Sequence, residues 1–233
     1  MQFRKWLKSD NVVRNKHIEK IDIFDFDDTL VLVPSEDEAR TLLHKYNLWA
    51  DANNKPLAKN WTGLYWDHAA SLKPPIFMDP APTSMLNKEV ISKFYESKRD
   101  KKRHTVIMTG RPDTLHNELN RILKDLNLVP DELIMVDIVG ETMSLKLKAL
   151  DKLLKEHPHV KEIEMWDDRG SKKAQLTGNP EENHVKAFKD FLTKENNARQ
   201  NKDRAYFLKF KVNEIPVRED RVEELKRLNK KKD

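Results

Sequence analysis

The chain has 233 residues, 38% hydrophobic and 36% charged, enough for one polar globular domain with a core and room for an insertion. It contains no Cys, which excludes disulfides, thiol catalysis and thiolate-ligated zinc. No run approaches the roughly 18 apolar residues of a membrane span, and Met1-Gln2-Phe3-Arg4-Lys5-Trp6 lacks the apolar block of a secretory signal. The expectation is a cytoplasmic protein without membrane association, whose formal charge of +5 leans toward polyanionic partners.

In chain order, the first strand is expected over Ile18 to Asp25, where Ile21, Ile23 and Phe24 supply the apolar positions. Ser35-Glu36-Asp37-Glu38 has the form of a capping box and opens a helix through about Leu48. Trp49, Trp61, Tyr65 and Trp66 follow, then a Pro-rich stretch from Pro74-Pro75 to Pro82. About seventy residues separate the first two core strands, too many for a plain crossover, so 34–82 reads as a mainly helical insertion over one end of the sheet. A helix over Leu86 to Lys102 leads back to strands at His104 to Thr109 and Glu132 to Ile138. Between these two strands, Arg111-Pro112-Asp113-Thr114 opens a helix with Pro near its first position. Leu145, Leu147, Leu150, Leu153 and Leu154 mark the next helix. A strand at Ile163 to Asp168, a turn at Gly178-Asn179-Pro180, a helix carrying Val185, Phe188, Phe191 and Leu192, and a strand at Tyr206 to Val212 complete the core. Short apolar strands alternating with helical patterns argue for an α/β parallel sheet with crossover helices. The core is thus expected over 18–33 and 83–215, with a basic, solvent-facing helix and tail over 216–233.

Chemistry-bearing groups fall at the strand ends. Asp25-Phe26-Asp27-Asp28-Thr29 sits where a buried strand stops, and buried carboxylates without a partner are costly. A cation is the usual compensation, which makes this segment a candidate metal and catalytic centre. The second strand ends in Met108-Thr109-Gly110-Arg111, and the fourth in Trp166-Asp167-Asp168-Arg169. After the third come Glu141 and Thr142, with Lys146 and Lys148 in the first turns of a helix. In open parallel sheets these ends form the ligand-binding rim. A carboxylate can attack phosphorus once anion repulsion is neutralised, for which Mg²⁺ on oxygen ligands is suited. Asp25 and Asp168, with Asp167, could hold it, while a lysine and a hydroxyl bind phosphoryl oxygens. Asp27 could protonate the leaving oxygen and later activate water.

Asp-x-Asp-x-Thr, Thr-Gly-Arg, a helix lysine and a closing Asp-Asp pair, in this order, resemble the haloacid dehalogenase (HAD) superfamily of phosphatases. The resemblance implies a three-layer Rossmann-like fold with a cap after the first strand. It also implies Asp25 as nucleophile and Asp27 as acid/base, with Thr109 and Gly110 in the phosphate-binding motif. The magnesium ion would be held by Asp25, the backbone carbonyl of Asp27, and the pair Asp167 and Asp168. Thr142-Met143-Ser144-Leu145-Lys146 with Leu150, then Trp166-Asp167-Asp168-Arg169, then His184-Val185-Lys186-Ala187-Phe188 are similar to the Swiss Army knife RNA-repair-like branch. That branch implies a phosphatase or phosphatase-like domain associated with RNA-end repair. No Gly-rich phosphate loop with Lys-Ser/Thr is present, so no kinase or ligase motif accompanies it.

Several residues carry two readings. Lys146 and Lys148 lie roughly 200° apart on a helix, so one alone can face the site, and Lys146 matches the family pattern. Arg111 either meets a substrate phosphate or pairs with an acid. Asp28 reads as structural, Arg169 as a local ion-pair partner, and His184 as a packing residue or a family position. Trp61, Tyr65 and Trp66 are cap core or a base-stacking platform. The expected function is Mg²⁺-dependent hydrolysis of phosphomonoesters through an aspartyl-phosphate, on RNA or DNA ends. The alternatives are a phosphatase of nucleotides or small metabolites and a catalytically idle RNA-binding module.

Overall fold

The computed structural model describes residues 17–45, 69–136, 142–200 and 208–230. Trp49, Trp61, Tyr65, Trp66 and Glu141 lie outside them. Five strands, β1 (Lys20–Phe24), β2 (Arg103–Pro112), β3 (Glu132–Val136), β4 (Glu162–Asp167) and β5 (Lys209–Glu214), form one sheet in the order β3-β2-β1-β4-β5. Every pairing is parallel. The helices are α1 (Glu36–Lys45), α2 (Lys88–Arg99), α3 (His116–Asp125), α4 (Thr142–Glu156), α5 (Ser171–Thr177), α6 (His184–Gln200) and α7 (Glu219–Lys230).

Strand alternation sorts the core into two layers. Phe24, Ile107, Leu133 and Trp166 face one cluster, covered by Val90 and Phe94 of α2 and by Leu119, Ile122 and Leu123 of α3. Ile21, Ile23, Val106, Met108, Ile163 and Met165 face the other, covered by Leu150 and Leu153 of α4 and by Val185, Phe188 and Leu192 of α6. This is the expected α/β three-layer sandwich. Phe24 stacks on Trp166 at 4.4 Å and meets Phe94 edge-on at 5.4 Å, tying the end of β1 to β4 and α2. Ala39, Leu72, Ile76, Phe77 and Ala81, all within 34–82, join the same cluster as Phe24 and Phe26.

Local sequence signals explain most element starts. The Ser35 N–H donates to Glu38 Oε2 at 2.8 Å and the Glu38 N–H to Ser35 Oγ at 3.1 Å, a reciprocal capping box before α1. Asn87 caps α2 by accepting from the Glu89 N–H. Gly178, at φ 62°, closes α5 in the left-handed region. Helix α5 has no counterpart in the sequence reading, because Ser-Lys-Lys-Ala-Gln-Leu-Thr carries no apolar stripe.

Helix α7 departs from the solvent-facing expectation. Its Arg221 is buried and donates to Asp28 beyond β1, so one face of the basic segment is docked on the core.

Candidate active site

The order of strands reverses between β1 and β4, and ligands of open parallel sheets bind at that crevice. Asp25 follows β1 directly, and its N–H donates to the Trp166 carbonyl at 3.0 Å. Asp167 ends β4, and Asp168 comes next. Carboxylate oxygens of Asp25, Asp167 and Asp168 all lie within 4.8 Å of one another, and all three residues are buried. An all-oxygen cluster of this kind could hold a hard divalent ion.

Helix α4 delivers the countercharge. Lys146 Nζ donates to Asp25 Oδ1 at 2.7 Å and to Asp167 Oδ2 at 3.0 Å, while the side chain is only 2% exposed. Lys148 is exposed, as the helical period requires of its neighbour two positions on. Burial works to lower the Lys146 pKa, but Asp167 and Asp25 outweigh it and hold it above its ordinary value. Burial would also raise Asp167, yet Lys146, His184 and the Arg169 N–H hold it well below the usual carboxylate range. Asp25 goes the other way. Burial pushes its carboxyl up to about 7; Lys146 opposes the rise, and the charges of Asp167, Asp168 and Asp27 add to it. One ammonium thus balances Asp167, and Asp25 carries the uncompensated charge. That imbalance, with an all-carboxylate donor set, fits a bound Mg²⁺.

Two residues past Asp25, Asp27 is gripped by Arg111. Nε donates to both carboxylate oxygens at 3.1 and 2.9 Å, and Nη2 donates to Oδ1 at 2.7 Å. The β2–β3 register shifts between Thr109 and Pro112, so Gly110 and Arg111 bulge from the ladder, and the bulge re-aims the arginine. Its Nη1 donates to Ser71 Oγ at 2.7 Å, reaching the segment between α1 and α2. Arg111 is 1% exposed, so the structure places it on Asp27 and not on an open surface facing substrate. Thr109 Oγ1 accepts from the Arg111 N–H at 3.3 Å. A Cβ on Gly110 would come within 2.7 Å of Thr142 Cγ2, so glycine lets β2 approach the first residue of α4.

Asp28 is the residue whose surroundings the sequence showed least. It has φ 55° in the tight turn after β1 and is buried. Arg221 Nη2 donates to Oδ2 at 3.0 Å, Arg218 Nη1 donates to Oδ1 at 3.2 Å, and the Val33 N–H also donates to Oδ1. Burial raises the Asp28 pKa against the pull of Arg221. Asp28, Asp168, Lys173, Arg218 and Arg221 line one small cavity, so this clamp abuts the acidic cluster. Arg221→Met is expected to cost about 1–2 kcal/mol by urea unfolding, because Arg218 remains as partner. A change below about 0.3 kcal/mol would show that the clamp adds nothing.

The other candidates fall into place around these groups. Lys173 donates to Asp168 from α5. His184 is buried with Nδ1 3.6 Å from Asp167 Oδ2, beyond hydrogen-bond length, and burial lowers its pKa against Asp167. Arg169 pairs with Glu182 at 3.4 Å.

Residues 47–230 match the family model described as HAD domain family 1 in Swiss Army Knife RNA repair proteins. The chain belongs to that family. The match starts after β1, so Asp25 and Asp27 of this HAD domain rest on their motif and their geometry. No curated protein sequence matches the chain. Distant likenesses among solved structures include a chain of the Pnkp1/Rnl/Hen1 RNA repair complex, at 16% identity and TM-score 0.42, covering 87% of this chain and 44% of that one. This HAD domain therefore spans less than half of that chain. The HAD domain of the effector Lem4 from Legionella pneumophila, an inactive mutant, gives 12% identity and TM-score 0.43 over 89% of this chain and 90% of that one. The Legionella pneumophila effector Ceg4 gives 13% and 0.44 over 94% and 98%.

Sequence reasoning missed Ser71, Lys173, Arg218 and Arg221. Lys173 stands five residues after Asp168 on a short helix, a signal that was available; the other three are brought in by long-range docking alone. Among the described residues, no helix is long and apolar enough to cross a membrane.

Proposed function

We propose that this HAD domain hydrolyses phosphomonoesters through phospho-Asp25, with Mg²⁺, and acts on phosphorylated ends of RNA or DNA. The observation that carries the chemistry is the Asp25–Lys146 pair beside Asp167 and Asp168, with Asp27 two residues on. An Asp25 oxygen attacks phosphorus, and the bond from phosphorus to the leaving oxygen breaks. Asp27 gives that oxygen a proton and afterwards takes one from water. The resulting hydroxide attacks phosphorus, the bond from Asp25 to phosphorus breaks, and phosphate leaves with Asp25 regenerated. Lys146, the Thr109 hydroxyl and the Gly110 N–H stabilise the phosphoryl oxygens as charge shifts onto them.

Asp25, Asp168 and the Asp27 carbonyl, with Asp167, would hold the magnesium ion, which when bound screens the nucleophile from the phosphate charge. Arg111 orients the Asp27 carboxylate for its two proton transfers. Its hydrogen bond to Ser71 supports placing the insertion, 34–82, as a cap beside the acid/base.

The nucleic-acid substrate is favoured by the family's association with RNA repair and by where the basic charge lies. The run Lys98 to Arg103 is at the amino-terminal edge of the sheet and is largely spent on acids, with Lys98 on Asp131, Lys102 on Glu19, and Arg103 on Asp22 and Asp100. Lys173, Arg218 and Arg221 also sit on acids, Asp168 and Asp28, but these pairs stand beside the acidic cluster, where a polyanion would approach.

A panel of 3′- and 5′-phosphorylated RNA and DNA oligomers, mononucleotides and sugar phosphates tests both halves. Phosphate release is expected from oligomer ends with Mg²⁺, and none with EDTA or in Asp25→Asn. Release from mononucleotides or sugar phosphates alone would replace the substrate while keeping the chemistry. Absence of metal-dependent release from every member would leave an idle RNA-binding domain as the reading.

A further inference from the structure

A second group of ligand-type side chains lies at the opposite edge of the sheet. His104, Glu132 and His157 each place one ligand atom within 4.8 Å of the other two. His104 is the second residue of β2, Glu132 the first of β3, and His157 follows the end of α4. All three sit at the amino-terminal edge, whereas the acidic cluster is at the carboxyl end. From His104 to Thr109 the strand climbs about 17 Å. The two centres are separate.

The geometry is that of a converging donor set. His104 Nε2 is 3.2 Å from Glu132 Oε2, and the His104 and His157 rings have centroids 4.8 Å apart with planes tilted by 45°. The side chains of His104 and Glu132 keep 16% and 11% of their exposure, so an ion can reach them from solvent. Asp131 adds negative charge nearby, but its oxygens already accept from Lys98 Nζ at 2.6 Å and from the Thr105 N–H at 2.9 Å.

A histidine–glutamate ion pair needs one imidazole. A second imidazole beside that pair brings three donors of a metal-ligand type to one point. A borderline divalent ion satisfies all three groups together. Two imidazole nitrogens and one carboxylate oxygen are donors for zinc and its neighbours, whereas Mg²⁺ favours all-oxygen sites.

We propose that His104, Glu132 and His157 bind a divalent ion of the zinc class, with water completing its coordination, and so clip β2, β3 and the α4–β4 connection together. The ion would be structural in effect, since it is remote from Asp25. It stabilises the folded chain by mass action, because the unfolded chain does not assemble the three ligands.

Zinc titration read by histidine side-chain NMR, with Mg²⁺ in excess to occupy the acidic cluster, tests this on the unaltered protein. With one equivalent of Zn²⁺, the ring signals of both His104 and His157 are expected to move to metal-bound positions while those of His184 stay. Movement of one ring alone, or of neither, would overturn the proposal. His104→Asn and His157→Asn should each weaken Zn²⁺ binding by about tenfold or more and abolish the zinc-dependent rise in melting temperature. Unchanged affinity in both folded variants would equally overturn it.

Discussion

Asp25→Asn is expected to make the metal-free protein more stable at pH 8 while removing the proposed phosphatase activity. In the folded chain burial raises the Asp25 carboxyl from 3.8 to about 7, with Asp167, Asp168 and Asp27 adding to the rise against Lys146. A carboxyl raised on folding binds its proton more tightly in the native state, so stability falls as pH rises. The contribution is fully present below about 4 and is lost as pH climbs through about 7. Asparagine keeps the shape and can still accept from Lys146 without bearing charge. At pH 8 in EDTA the variant should gain about 2–4 kcal/mol, and near pH 4 the two proteins should be nearly equal. Mg²⁺ should close the gap by stabilising the wild type. Urea unfolding from pH 4 to 8, with and without Mg²⁺, is the measurement. A gap that did not change with pH would refute the assignment of the uncompensated charge to Asp25.

Lys146→Met should have the opposite effect and at least as large a one. The substitution leaves Asp25 and Asp167 buried without the ammonium that lies 2.7 and 3.0 Å from their oxygens. Removing one partner of a buried ion pair costs about 3–5 kcal/mol, which is a large part of a typical domain's stability. Two conditions should restore part of it: acidification toward pH 5, which protonates Asp25, and Mg²⁺, which supplies positive charge. Asp25→Asn in the same chain should also recover stability, giving a coupling that a double-mutant cycle reads directly. Lys148→Met, on the exposed side of α4, should stay within about 0.5 kcal/mol of wild type. Equal losses at positions 146 and 148 would show that the first is no more than a surface lysine.

How far sequence reached depends on the range of the interaction. Strand and helix patterns are local, so alternation through Ile21, Ile23 and Phe24 and the leucine spacing of α4 were legible from neighbours alone. The meeting of Asp25, Lys146, Asp167 and Asp168 was legible too, because each closes a strand or opens the next helix, and parallel topology gathers those positions at one rim. The grip of Arg111 on Asp27 was one of two open readings; the bulge at Gly110 that aims it depends on the register with β3. Helix α5 escaped because it packs without an apolar stripe. The arginines on Asp28 could not be read at all, since a charged segment looks the same whether or not Arg218 and Arg221 reach back to the turn after β1.

Those arginines give the domain an order of assembly. The contacts from Arg218 and Arg221 to Asp28 bridge 190 and 193 positions. At about 5–20 residues per second on the ribosome, the turn that carries Asp27 waits roughly 10–40 s after its own synthesis for these partners. Strand β1 is the first made of the five, yet the turn beyond it draws two of its contacts from residues 190 and 193 positions later. A nascent chain halted before residue 218 would carry both aspartates of the motif with Asp28 still lacking its two arginine partners. The turn that holds Asp28 would then take its last contacts only when Arg218 and α7 dock.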